Sequence, residues 1–328
     1  MRASRAGWRG RRLPTGAARL ILPAGLTALV LCASVQSAWA AGPTVDTGAA
    51  TQVTYSSATL NGTLDPNGQS TTYYFQYGPT KAYGQQTLIG GVAAGQSPVH
   101  VSAQITGLQP ATVYHYRLVA LNSAGAQSGK DRTFTTLKVP LSLAILGAPN
   151  PVPYGTPVTI EGTLSGTGNG QREVILQSNP FPYTQGFLNV GNPELTSSSG
   201  SFSFPVLGLT EATQFRVLTT TKSVVVSPVL TEGVAVRVSV HYRHTRRRHR
   251  VRIYGTVVPS EPGMQVGIFR VRRGHTRLVA GTILHAKGTT SSAYSRVVRV
   301  VRGGVYIVLA RVTDGSHTSA YSTPIRIR

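Results

Sequence analysis

The chain predicts an all-β protein made of β-sandwiches in tandem, and three observations carry that expectation. Its 328 residues include 36 Gly and 20 Pro, which cut it into short runs rich in Val, Thr, Tyr and Ile. Those runs alternate with period two, as Phe202 and Phe204 do with Ser201 and Ser203, or Ile325 and Ile327 with Arg326 and Arg328. Short alternating strands at regular spacing, separated by turn residues, read as half-buried antiparallel sheets. No segment carries a helical period.

The first forty residues stand apart. Arg2, Arg5, Arg9, Arg11, Arg12 and Arg19 form a basic region, followed by an apolar stretch from Leu20 to Val35. Ala38-Trp39-Ala40 then places small residues where signal peptidase requires them, so cleavage is expected after Ala40. The apolar run is shorter than the ~20 residues of a spanning helix and is interrupted by Pro23. The mature chain is therefore expected to be secreted or extracellular, in association with the cell envelope, and to hold no transmembrane span. Cys32 is the only cysteine, and Leu31 stands where a lipobox needs a small residue, so no lipid anchor is expected. After cleavage neither disulfides nor thiolate metal sites can support the fold. The remaining length suits two or three domains that rely on burial alone.

Residues 43–137 form the first unit. It opens with Ala58-Thr59-Leu60-Asn61-Gly62-Thr63-Leu64-Asp65-Pro66-Asn67-Gly68, a strand closing in a turn, and continues with Tyr73-Tyr74-Phe75-Gln76-Tyr77-Gly78. Its most specific stretch runs Gly107-Leu108-Gln109-Pro110-Ala111-Thr112-Val113-Tyr114-His115-Tyr116-Arg117-Leu118-Val119-Ala120-Leu121-Asn122, followed by Gly125 and a last strand near Phe134. Over nearly its full length this unit resembles a fibronectin type III domain of the kind found in secreted bacterial proteins. The resemblance implies that Tyr114 is the tyrosine-corner residue, a structural role in which the phenol bonds back to the backbone. The family's core Trp is missing from the mature chain, and Tyr73, Phe75 or Tyr77 is expected to fill its place.

Two further units, residues 138–233 and 234–328, repeat each other. Val158-Thr159-Ile160-Glu161-Gly162-Thr163-Leu164 aligns with Val251-Arg252-Ile253-Tyr254-Gly255-Thr256-Val257, and Phe215-Arg216-Val217-Leu218-Thr219 with Tyr306-Ile307-Val308-Leu309-Ala310. A separation of about ninety residues is a domain-sized repeat rather than a solenoid unit. Both copies resemble bacterial immunoglobulin-like sandwiches.

The formal charge of +22 is concentrated in the last unit, which holds 18 of the 32 basic residues and only two acids, Glu261 and Asp314. The densest run, His241-Tyr242-Arg243-His244-Thr245-Arg246-Arg247-Arg248-His249-Arg250, lies between apolar strands, which places it in an exposed connection beside a sheet. Arg252, Arg270, Arg272, Arg273, Arg277, Arg296, Arg299 and Arg302 come from other strands or turns, and the pattern does not assign them to one face. Such a field attracts polyanions, and the planar fork of Arg suits phosphate and carboxylate. A passive surface would ordinarily mix the signs.

Other constellations are set aside. His241, His244 and His249 have metal-ligand spacing, but the arginines among them repel a cation and no Cys or carboxylate completes the set. Gly166-Thr167-Gly168-Asn169-Gly170 lacks the Lys and helix of a phosphate loop and reads as a hairpin loop. Asn61-Gly62-Thr63 fits a glycosylation sequon inside a predicted strand. Glu161 and Glu173 could face each other across a hairpin, yet nothing supplies the cleft that glycoside chemistry needs. With no nucleophile-base motif either, no enzymatic activity, cofactor or metal is expected.

The expected function is non-enzymatic binding or adhesion, with arginines 243, 246, 247, 248, 250, 252, 270, 272 and 273 holding an anionic cell-wall polymer or acidic polysaccharide. The alternatives are a carbohydrate-recognition module, with Tyr83, Tyr183 or Tyr294 as a sugar platform, and a purely structural extracellular spacer. Tyr242 and Tyr254 could stack on bases, but export argues against nucleic acid as the primary partner.

Overall fold

The computed structural model describes residues 41–147 and 149–328, so the cleavage residues Ala38 and Ala40 lie outside the described residues. All regular structure among the described residues is β-strand, gathered around three hydrophobic cores. Each core lies between two sheets, so the protein is three β-sandwich domains in tandem.

In the first domain Thr44–Thr47, Ser57–Asp65 and Val99–Thr106 make one antiparallel sheet. The other is centred on Thr71–Gly78 and Val113–Asn122. Short strands flank it, Gln85–Gln86 and Gly90–Val92 on one side, Gly125–Ser128 and Arg132–Thr135 on the other. This is the layout of a fibronectin type III-like sandwich. Period-two alternation turns Ala58, Leu60 and Leu64 toward Phe75, Tyr114, Tyr116 and Leu118. Phe75 is fully buried while Tyr73 and Tyr77 pack at the edge of the core, so Phe75, backed by Tyr116, takes the place of the missing Trp.

The second and third domains repeat this plan. In the second, Ser142–Leu146, Val158–Ser165 and Ser201–Val206 face Leu188–Leu195, Glu173–Pro180, Thr213–Thr219 and Leu230–Glu232. In the third, Arg237–Val238 and His241–His244 pair in turn with Arg250–Val258, which pairs with Ser291–Arg299. The opposite sheet is built on Gln265–Arg272, His275–Ile283 and Val305–Arg311. Residues 166–170 connect one sheet to the other, since Val158–Ser165 pairs with Ser142–Leu146 and Ser201–Val206. The expected hairpin is therefore a crossing loop between sheets.

A Gly-Thr-aliphatic triplet recurs in every domain on a strand that lies between two others in its sheet: Gly62-Thr63-Leu64, Gly162-Thr163-Leu164 and Gly255-Thr256-Val257. At each glycine a Cβ would come within 3.0 Å of atoms packed over it. These are Leu118 and the Asp46 carbonyl at Gly62, Phe202 and the Ala144 carbonyl at Gly162, and Tyr294 and the Ser239 carbonyl at Gly255. In the third domain the space lets the buried Tyr294 donate its hydroxyl to the Ser239 carbonyl at 2.7 Å, and burial raises that phenol above its ordinary range.

The corner role implied for Tyr114 has matching geometry. Its hydroxyl accepts the backbone N–H of Gln109, five residues earlier, at 2.9 Å. Tyr306 makes the same bond in the third domain, from the N–H of Val301 at 3.0 Å. Phe215, aligned with Tyr306 in the repeat, has no hydroxyl to offer.

The second and third domains share a strand. Val152–Pro153 pairs in parallel with Val234–Ala235, and Val234 packs into the second core while Val236 packs into the third.

Replacing Tyr114 or Tyr306 by Phe should cost about 0.5–1.5 kcal/mol each by loss of one buried hydrogen bond, seen as a lower urea midpoint. Gly255→Ala should cost about 1–3 kcal/mol, because the added carbon meets backbone that cannot swing aside. An unchanged melting midpoint for Gly255→Ala would show that the first strand of the domain yields instead.

Candidate functional site

The basic residues of the third domain are ordered by the register of one sheet. Along Arg250–Val258 the side chains alternate, with Val251, Ile253 and Val257 buried and Arg250, Arg252, Tyr254 and Thr256 directed outward. Across the sheet, Arg250 stands opposite Arg299, and Arg252 stands between Arg243 and Val297. Tyr254 lies between His241 and Ser295, and Thr256 beside Ala293. The outward face thus runs in rows from hydroxyls, through an aromatic pair, to two rows of opposed arginines. Like charges directly opposite each other on a sheet are destabilising.

A shallow depression of about 720 Å³ covers the middle of this face, lined among others by His241, Arg243, Arg252, Tyr254 and Lys287. The Arg252 guanidinium is steadied by a hydrogen bond to Ser295 Oγ at 3.0 Å, and the His241 and Tyr254 rings sit 5.7 Å apart.

Past Arg250 the chain turns, and Arg246, Arg247, Arg248, Arg250, Arg302 and Arg328 surround a second depression of about 370 Å³. Backbone bonds from Val300 N–H to the His249 carbonyl (2.9 Å) and from Gly303 N–H to the Ile327 carbonyl (2.7 Å) hold these loops together. Arg272 ends the strand Gln265–Arg272, and Arg273 occupies the hairpin turn that follows. The pairing of Val271 with Val305 brings that turn to the same end of the domain as Arg302. Arg270 departs from the expected set. It shares the inward parity of Val266 and Ile268, is half-buried, and its Nε has no hydrogen-bond partner among the described residues.

The domain's only acids lie at the other end. Glu261 follows the far end of the Arg250–Val258 strand, and it meets Asp314 and His317, all three offering donor atoms within 4.8 Å of one another. His317 Nδ1 lies 2.5 Å from Asp314 Oδ2 and 3.3 Å from Glu261 Oε1. Its Nε2 donates to the Thr210 carbonyl of the second domain at 2.8 Å. The neighbouring Ser316 carbonyl accepts the N–H of Ala212 at 2.9 Å, and Thr318 N–H donates to Val234 at 2.7 Å. Both acids are thereby engaged where the third domain docks on the second. Burial pushes the Glu261 carboxyl up, and the adjacent Asp314 charge adds to this. Burial also pushes Asp314 up, but hydrogen bonds from the His317 side chain and backbone outweigh it and leave the carboxyl below its usual value.

The other sequence-level candidates fall apart in space. Of the three sugar-platform tyrosines, Tyr294 is buried, Tyr83 is covered by Arg117 4.9 Å above its ring, and Tyr183 packs edge-on against Phe181. On the arginine-bearing face the exposed ring is that of Tyr254, at 38%; Tyr55 and Tyr321 are exposed elsewhere. Tyr242 turns toward the third core. Glu161 and Glu173, expected as neighbours across a hairpin, belong to opposite sheets. His241 lies against Tyr254 and His244 against Tyr242, while His249 occupies a turn. No helix among the described residues is long and apolar enough to cross a membrane.

No protein-family model matches the chain, and no curated protein does. Among solved structures it is similar to the FN1-FN3 domains of chicken CNTN1, at 15% identity over 88% of this chain and 100% of that one, with a TM-score of 0.29. Titin domains A168-A170 give 15% identity over 87% and 98%, with a TM-score of 0.35. The sensor domain of the anti-sigma factor RsgI4 of Pseudobacteroides cellulosolvens gives 22% identity over 30% and 96%, with a TM-score of 0.25. Nothing about function follows from likenesses at these levels.

A carboxyl held below its unfolded value stabilises the fold above that value, near 3.9 for Asp, and the contribution is lost as pH falls through the lowered one. Acidification below the ordinary carboxylate range should therefore release the junction by protonating Asp314. Asp314→Asn should flatten this part of the stability–pH curve, measured by urea unfolding from pH 5 down to the acid limit (about 2).

Proposed function

We propose that the protein is an exported, non-enzymatic binding protein whose cationic third domain, residues 234–328, holds an anionic polymer of the cell envelope. Domains at residues 43–137 and 138–233 act as neutral spacers, and export is accompanied by cleavage after Ala40. The observation that carries this reading is the arrangement of charge within one sandwich. Arg243 opposes Arg252 and Arg250 opposes Arg299 on a single face, and that face leads to the arginine-lined end around Arg246, Arg247, Arg248 and Arg302. The domain's two acids are engaged with His317 at the opposite end. Opposed arginines without protein counter-charge raise the free energy of the folded domain, and a bound polyanion would remove that cost by supplying the missing charge. Arg272 and Arg273 extend the same end, and Arg270 is left out of the contact set.

The test is sedimentation of residues 41–328 with isolated envelope material across a salt series, beside a chain ending at Gly233. Binding should fall steeply with salt, as displacement of counterions requires, and should vanish with the truncation. Equal retention of both chains would sink the proposal, and no retention of either would leave a spacer without a ligand of its own.

A further inference from the structure

Charge alone would suit any polyanion, but one row of this face offers something that charge does not need. Tyr254 presents an open ring in the middle of the larger depression, with His241 beside it and Ser295 on its other flank. Two residues along the strand, about 6.6–6.8 Å away, stand Arg252 and its cross-strand partner Arg243. On the opposite side lie the hydroxyls of Thr256 and Ser239, bonded to each other at 2.8 Å, and Lys287 reaches the rim.

Resting on the polyanion reading above, we infer that the ligand of this face is an acidic polysaccharide. One sugar ring lies on Tyr254, and the acid groups of the chain are held by Arg252 and Arg243. The chemistry separates this ligand from the other anions. A pyranose has an apolar C–H face that an aromatic ring covers, and hydroxyls at its edge that Ser295, Thr256 and Ser239 can meet. A bare phosphate polymer has no such face and gains nothing from Tyr254. Planar carboxylates match the Arg fork with two parallel bonds. Single-stranded nucleic acid is served by platforms on which successive bases stack. Here the neighbouring tyrosines are withdrawn: Tyr242 packs against the core and accepts the Arg328 N–H, and Tyr294 is buried. The arginine rows and the arginine-lined end then continue the track for the rest of the polymer.

The experiment measures Kd of residues 41–328 at fixed salt for polygalacturonate, inorganic polyphosphate, oligo-dT and neutral dextran. Tyr254→Ala, Tyr254→Phe and the pair Arg243→Ser with Arg252→Ser are measured alongside. Tyr254→Ala should weaken polygalacturonate binding about tenfold, the upper end of what one ring contact supplies. It should leave polyphosphate binding and the salt slope unchanged, and Tyr254→Phe should restore affinity. The double arginine change should weaken both polymers and flatten the salt slope. The inference is overturned if Tyr254→Ala leaves polygalacturonate binding intact, if polyphosphate binds as tightly, or if the Tyr254 effect appears with oligo-dT alone. If none of the anions binds, the polyanion reading itself fails, and this one with it.

Discussion

The third domain must remain folded while carrying sixteen more basic than acidic residues, and the rest of its design answers to that constraint. The core contributes what charge takes away: Val251, Ile253, Val257, Ile268, Tyr306 and Val308 are all nearly inaccessible. The acids are not spread through the surface to dilute the repulsion. They are withdrawn to the junction with the second domain, where His317 ties them to the Thr210 carbonyl. The domain thus has its two acids at one end and rows of arginines along a face that lead to the arginine-lined depression at the other.

The scaffold that allows this is a common one used three times. The glycine of each of these triplets, Gly62, Gly162 and Gly255, lets neighbouring backbone and a bulky side chain come close. In the last two domains a buried serine near the start of the final strand replaces a ladder bond. Ser227 Oγ accepts the Val217 N–H at 2.9 Å, and Ser322 Oγ accepts the Val308 N–H at 3.0 Å. Because these contacts are made by backbone and inner-face residues, the outward positions are free to vary. Val158–Ser165 presents Thr159 and Glu161 where Arg250–Val258 presents Arg252 and Tyr254. The same strand therefore gives a face without arginine in one copy and an arginine-bearing face in the next.

Period-two alternation and turn residues made the sandwiches legible in the sequence, and the repeat of Gly162-Thr163-Leu164 in Gly255-Thr256-Val257 identified the matching strands. The Tyr114 corner could be read because its bond is local, five residues long. Arg270 could not be separated from Arg272, which has the same parity: Arg270 is half-buried within the strand and Arg272 exposed at its end, and strand pairing rather than composition sets where that end falls. Nor could Tyr254 be told from Tyr294. Both are Tyr in alternating strands, and only the cross-strand register shows that one faces solvent while the other lies under Ser239. The meeting of Glu261 with Asp314 and His317 joins loops about fifty residues apart, and no local signal announces it.

The strand that joins the second and third domains has a mechanical consequence. Val234 and Val236 anchor in different cores, and Val234–Ala235 is held on one side by Val152–Pro153 and on the other by Thr318. A pull on the arginine end would reach this segment along its length, where the bonds on both flanks must shear together instead of peeling one at a time. The joint would then act as a stiff coupling that delivers tension to the second domain, not as a swivel that absorbs it.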